Sequence, residues 1–349
     1  MSLPNTSVVE TMTCSGVPHV DSDAYLSAVY GKTWERYAYS DGDGAFRHAC
    51  VTQRLKGTGY AFAESWRGYF DPVLSRQDPH LLVRALEDYS AWCRSRGIVC
   101  EFMRCDPTGK VAELIASTGF CTVEWGQYVA MLDCPSSMDT YLSSLRKKHR
   151  YTIKSARDQY EVERVTGACR DQVAAVHEVL FHSLQTLGTL QRWYLSQENI
   201  TTLANLSFFD IYLVRSNGAP VGACAAMTSD ATTHLLFLGV KEKVQNPGVS
   251  DLMYFKTIEG ALAKNKDKTL VRQICFGGGR GTSDGDGLIR FKKKFALGRL
   301  VRCPYLVLAH DTDAVAALSR AAGQTRPFAD IDPSSQLKLK HFPFLLCQI

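Results

Sequence analysis

Three consecutive glycines, Gly277, Gly278 and Gly279, close a short apolar run at 270–276 that has the composition of a strand. Successive glycines let a backbone come close to a ligand and expose its N–H groups to it. Two carboxylates follow in the loop, Asp284 and Asp286, and then the apolar and basic stretch Leu288-Ile289-Arg290-Phe291-Lys292-Lys293-Lys294-Phe295. The carboxylates could accept a proton from an amine or hold it in place. Aspartates beside glycines also serve simply as turn formers. Taken alone the glycine run has little specificity, being neither a P-loop nor a G-x-G-x-x-G before a helix.

The net charge of +5 is modest, but it is concentrated. Arg146, Lys147, Lys148, Arg150, Lys154 and Arg157 fall within 146–157, and Arg290, Lys292, Lys293, Lys294, Arg299 and Arg302 occupy 290–302 without an acid between them. Two such patches imply an anionic ligand: a nucleotide, a phosphate or a tRNA backbone. Arg150 and Lys154 are the candidates for phosphate contact. Nearer the N-terminus, Trp34, Tyr69 and Asp71 offer aromatics and an acid suited to stacking on and hydrogen-bonding a polar acceptor, although Trp34 suits core packing equally well. No G-x-S-x-G elbow, HExxH or cysteine–histidine signature occurs, so neither a side-chain nucleophile nor a metal is expected. His149, His177 and His182 lie in apolar helical patterns that fit packing better than catalysis.

These residues need elements to hold them. Residues 45–63 read as β-rich around a Gly57–Gly59 turn, 79–95 as a helix, 98–105 as a strand, 109–118 as a second helix and 120–132 as paired strands. The same order then returns, with a helix at 170–187, strands at 209–215, 221–228 and 233–240, a helix at 250–264 and a strand at 270–276. Antiparallel strands around helices, twice over, make an α+β protein and not a doubly wound one. Between the halves, 136–160 steps its apolar residues by three and four, which predicts one amphipathic helix with a basic stripe. The expected division is a first domain at 20–135, the connecting helix at 136–160, a second domain at 161–303 and an extension at 304–349. Two apolar segments of that extension, Tyr305–Ala309 and Phe342–Leu346, do not fit the repeated order.

The strand, the FGGG run, the acidic loop and the F-K-x-x-F element together resemble the C-terminal signature of Fem-type peptidoglycan-bridge aminoacyltransferases. Residues 136–162 and the turn GYFDPVL at 68–74 resemble two further regions of that family, so the similarity spans roughly residues 30–300. It implies two GNAT-like halves in tandem and transfer of an aminoacyl group, usually from aminoacyl-tRNA, to an amine. It also implies that Lys292 is the catalytic cation, with the backbone N–H of Phe291 beside it, stabilising the oxyanion or leaving group. Gly277, Gly278, Gly279 and Arg290 would then bind substrate. The alternative is an exposed basic turn that only binds the tRNA backbone. The long helical hairpin of some family members has no room between 160 and 210.

A rival enzyme of the same fold would use acyl-CoA and acylate a surface-polysaccharide sugar or a secondary metabolite. Its pyrophosphate needs a run of N–H groups before a helix. At 244–251 Pro247 removes one donor and a second glycine is missing, which disfavours CoA. A non-catalytic RNA-binding module would interleave aromatics with the basic residues, and only Tyr151 and Phe291 qualify. No cofactor is expected. The absence of a basic n-region before an apolar run, and of eighteen consecutive apolar residues, predicts a cytoplasmic protein without a transmembrane segment. The twelve cysteines are scattered through apolar stretches and read as reduced core thiols.

Overall fold

The computed structural model describes residues 22–188, 194–229, 231–242, 245–266, 270–279, 284–322 and 340–348. The first half runs α1 (Asp23–Tyr30), β1 (Trp34–Asp41), β2 (Gly44–Arg54), β3 (Ala61–Glu64), β4 (Val73–Leu74), α2 (Pro79–Ser95), β5 (Ile98–Arg104), α3 (Val111–Ser117) and β6 (Thr122–Asp133). Two helices connect the halves, α4 (Met138–Ser144) and α5 (Lys147–Gln159). The second half runs β7 (Glu161–Arg164), α6 (Arg170–Thr186), α7 (Gln197–Ala204), β8 (Phe209–Ser216), β9 (Ala219–Ser229), β10 (Thr232–Val240), α8 (Val249–Lys266), β11 (Gln273–Gly278), α9 (Gly287–Phe295), β12 (Leu300–Ala309) and α10 (Thr312–Ala322).

All twelve strands join one mixed sheet in the order β1-β2-β3-β5-β12-β6-β11-β10-β9-β8-β7, with β4 on β2. Among the described residues only β3–β5 and β10–β11 pair in parallel. Alternate strand residues feed opposite faces. Ile211, Leu213, Ala223 and Ala225 meet α6 on one face, while Val214 and Cys224 meet α8 on the other. In the first half α2 covers one face, and α10 with the turn Pro343–Gln348 covers the other. Tyr25, Leu26, Trp66 and Phe70 of the first half share a core with α6 and α7. Glu101 is fully buried between His48 (2.8 Å), Tyr89 (2.8 Å) and His310 (3.6 Å). Burial alone would raise its pKa, but His48 and His310 hold its carboxyl well below the usual carboxylate range.

Three expectations change. Residues 120–132 form the single long strand β6, not a pair. The segment 136–160 is two helices, because Leu145 (ψ 151) and Arg146 (ψ 145) are extended. Arg150 holds this break: its Nη1 donates to the carbonyls of Leu142 (3.4 Å), Ser143 (3.2 Å) and Leu145 (2.6 Å) at the end of α4, where helix carbonyls run out of main-chain partners. The tail segment beginning at Tyr305 is part of β12, which lies between β5 and β6 in the middle of the sheet. Pro304 is tolerated there because the β12–β6 register shifts between Arg302 and Pro304. The ten cysteines whose side chains are described are free thiols, seven of them buried. No helix among the described residues is long and apolar enough to cross a membrane. The reading of the first twenty residues lies outside the described ones.

Candidate active site

The parallel strands β10 and β11 pair only where Thr232–His234 meet Gln273–Cys275, and then part. A cavity of ≈ 470 Å³ opens beyond, lined by Leu238 of β10, Ser250 and Tyr254 of α8, and Asp286, Leu288 and Phe291 around α9. The sequence builds α9 here because Asp286 caps it, Oδ1 accepting from the N–H groups of Leu288 (2.7 Å) and Ile289 (3.0 Å). Phe291 and Phe295 then lock the helix on α8, with Phe295 stacked 4.5 Å from Tyr254 and Phe291 edge-on to it at 5.4 Å.

This packing aims Lys292 at the glycine run, where its Nζ donates to the carbonyl of Gly278 at 2.7 Å. Burial, reinforced by Arg67 and opposed by Cys275 and Asp286, lowers its pKa to about 8. The ammonium form still dominates at neutral pH, yet it gives up its proton more readily than an exposed lysine. Gly277 has φ +77, and a Cβ there would lie 3.2 Å from the Lys292 Nζ, so only glycine suits the position. A Cβ on Gly278 would collide with Gln127, and one on Gly279 with the Asp286 carboxylate.

The first half reaches the same point. Tyr69 accepts at its Oη from the N–H of Gly278 (2.9 Å) and from Nε2 of Gln127 (2.7 Å). Burial raises its pKa, so it stays a neutral phenol. Just before it, the Arg67 guanidinium lies over the Phe237 ring at 4.2 Å, and the main-chain N–H of Arg67 donates to the Tyr30 hydroxyl. Burial lowers the Arg67 pKa. Arg104 is nearby; burial opposes its charge, but Tyr305, Glu64, Tyr69 and Tyr30 more than offset this and raise its pKa.

The structure therefore gathers Tyr69, Gly277, Gly278, Gly279, Asp286 and Lys292 around one point. Phe291 belongs there through its ring. Its N–H lies inside α9, where the i→i−4 ladder takes it up, so it is no oxyanion donor. Asp286 is spent as a helix cap, and Asp284 is exposed in the loop before it. Asp71 follows two residues after Tyr69, accepting at Oδ1 from the N–H of Asp106 (3.0 Å); burial first, then Asp106, raises its pKa to about 7. Trp34 stands apart on the edge strand, half-buried against the shared core with the Arg36 guanidinium 5.3 Å above it. Arg150 caps α4, Lys154 is exposed on α5, and Arg290 faces away from Lys292. Sequence reasoning missed Arg67, Arg104, Gln127 and Tyr30; only Arg67 carried a signal, as the residue before the Gly68-Tyr69 turn.

Residues 143–292 match the family model of the acetyltransferase (GNAT) domain. Among solved structures the fold is similar to FemX, at 12% identity and TM-score 0.66, covering 91% of this chain and 98% of that one. It is also similar to the C-terminal domain of a putative lysylphosphatidylglycerol synthetase from Agrobacterium fabrum, at 13% identity and TM-score 0.57 over 85% and 89% of the two chains. A third similar structure is L-PGS from Bacillus licheniformis, with 14% identity and TM-score 0.54 over 93% and 98%. No curated protein matches the chain. The matched domain and the fold define the class, an acyltransferase. Its fold is FemX-like and α+β, as the strand and helix order implied, with the GNAT domain match at 143–292.

Proposed function

We propose that the protein transfers an aminoacyl group from aminoacyl-tRNA to the amine of a small-molecule or cell-wall-precursor acceptor, forming an amide. The observation that carries this reading is the Lys292 ammonium, held 2.7 Å from the Gly278 carbonyl with a pKa of about 8 where both halves meet. In this reaction the acceptor nitrogen attacks the ester carbonyl of the charged tRNA, the N–C bond forms, and the C–O bond to the ribose breaks. Lys292 stabilises the oxyanion and hands its proton to the departing ribose oxygen. The amine's surplus proton passes to the substrate or solvent, and Lys292 regains one. Tyr69 and Gln127 hold the glycine run in place, and Arg67 and Arg104 give the acceptor side a cationic floor.

Two further features favour RNA over CoA as donor. Pro247 withholds one N–H at the start of α8, and α5 packs there so closely that a Cβ on Gly248 would lie 3.1 Å from that of Ala156. One similar fold belongs to a protein whose named product bears a lysyl group. Charged tRNA is a cytoplasmic molecule, which places the reaction in the cytoplasm. A second reading, acyl-CoA acylating a surface-polysaccharide sugar or a secondary metabolite, is favoured by the acetyltransferase match over 143–292. Incubation of the pure protein with labelled charged tRNA pools and with labelled acyl-CoA decides between them. Loss of label from tRNA is expected; loss from acyl-CoA alone overturns the proposal.

A further inference from the structure

A second cavity, of ≈ 720 Å³, lies on the far side of α9 from Lys292. Arg290, Lys293 and Lys294 step by three and four along that face of the helix and line one wall. Arg146 and Lys148, at the start of α5, line the other. The two basic runs, far apart in sequence, thus face each other across one space. His149 forms part of the floor, nine-tenths buried, its Nε2 lying 3.2 Å from Asp251 Oδ1 without hydrogen-bond alignment. Asp251 is the only carboxylate among the lining residues, against five lysines and arginines. Beside Lys148, Tyr151 holds its ring out from α5, 73% exposed.

Cations that line both walls of an enclosed space repel one another, and a ligand with closely spaced negative charges relieves that repulsion. An exposed aromatic one helical turn from Lys148 adds a platform on which a nucleobase stacks. We propose that this cavity seats successive phosphates of the donor RNA strand, with one of its bases stacked on Tyr151. The assignment rests on the tRNA reading above and extends it to the part of the donor behind the reacting end. With side chains α9 is ~10–12 Å across. At roughly 3.4 Å per nucleotide along a strand, the seated phosphates belong about three nucleotides back from the acyl ester beside Lys292. The two faces of α9 would then read two parts of one donor.

The test uses the full chain, an RNA minihelix with a tRNA acceptor end, and the same RNA cut to an aminoacylated dinucleotide. Binding is followed by fluorescence anisotropy across a range of KCl, and transfer by steady-state kinetics. Arg290→Ala with Lys293→Ala should weaken minihelix binding tenfold or more and reduce the slope of log K against log salt by about 0.7 for each phosphate no longer neutralised. Tyr151→Ala should weaken it about tenfold with the slope unchanged. Neither variant should change the KM of the dinucleotide or of the acceptor, and Lys56→Ala serves as an exposed control. All the substituted residues are exposed, and thermal melts check that the fold is retained. Unchanged affinity and slope in the double variant overturn the proposal. Weakening of inorganic pyrophosphate and RNA alike, with Tyr151→Ala silent, assigns the cavity to a small phosphorylated ligand and also overturns it. Use of charged tRNA with normal kinetics in these variants leaves the donor reading standing and removes this site. The predicted binding pattern with label lost only from acyl-CoA does the reverse.

Discussion

Lys292 is held by contacts that leave it little freedom, with its ammonium on a main-chain carbonyl and its helix clamped by two phenylalanines. If it acts where charge develops, Lys292→Ala should lower kcat by roughly a hundred-fold and change KM little. Its pKa of about 8 adds a pH signature. Folding depresses this lysine's pKa, so it loses its proton, and with it the power to donate, as pH rises through about 8; kcat should fall on that limb, and the limb should vanish in Lys292→Ala. A profile of kcat against pH for both proteins checks this, and an identical alkaline limb in the variant would assign it elsewhere. Lys292 was legible in sequence because it belongs to a contiguous motif. Arg104 and Gln127 were not, because strands far apart in the chain bring them to Tyr69 and Lys292, and Arg67 gave only the weak signal of preceding the Gly68-Tyr69 turn. Local periodicity says nothing about what lies across a cleft. Asp286 was legible as a residue of interest, but its cap geometry decides its task.

Among the elements, the break between α4 and α5 shows how one side chain decides a shape. The apolar spacing over 136–160 is continuous, and a continuous helix is its natural reading. What it does not show is Arg150 folding back to donate to three carbonyls at the end of α4. Arg150→Ala should therefore destabilise the protein by about 1 kcal/mol, the net worth of a partly solvated charged hydrogen bond, and leave the salt slope of RNA binding unchanged. Denaturant melts and the anisotropy titration measure the two separately; a reduced slope would return Arg150 to phosphate binding. The helices at 79–95 and 170–187 were read closely because each buries one regular face. Strand β12 was missed for an opposite reason. Pro304 withholds an N–H, which argues against a central strand, and only the register shift beside it makes the position tenable.

At the scale of the molecule, sequence order and spatial order disagree. The halves repeat along the chain, yet β12 follows the second half and fills the place between β5 and β6, while β6 closes the first half and pairs with β11. A chain ending before Leu300 would strip β5 and β6 of the neighbour between them, splitting the sheet there, and would remove Tyr305, Leu306 and Leu308, which are buried in the two cores beside them. Such a truncation should lack a cooperative thermal transition, as followed by circular dichroism, whereas the full chain should melt in one step. Two independent transitions in the full chain would mean that the halves fold separately. The same crossing governs how substrates enter. Two domains joined by a loose linker can swing open like jaws, but here the main-chain hydrogen bonds from Leu300 to Val307 rivet them across β6. Among the described residues, swinging the halves apart would break these sheet hydrogen bonds, so a wide jaw-like opening is costly. Admission and release then fall to loops and side chains at the rim, and a bulky donor has to thread in.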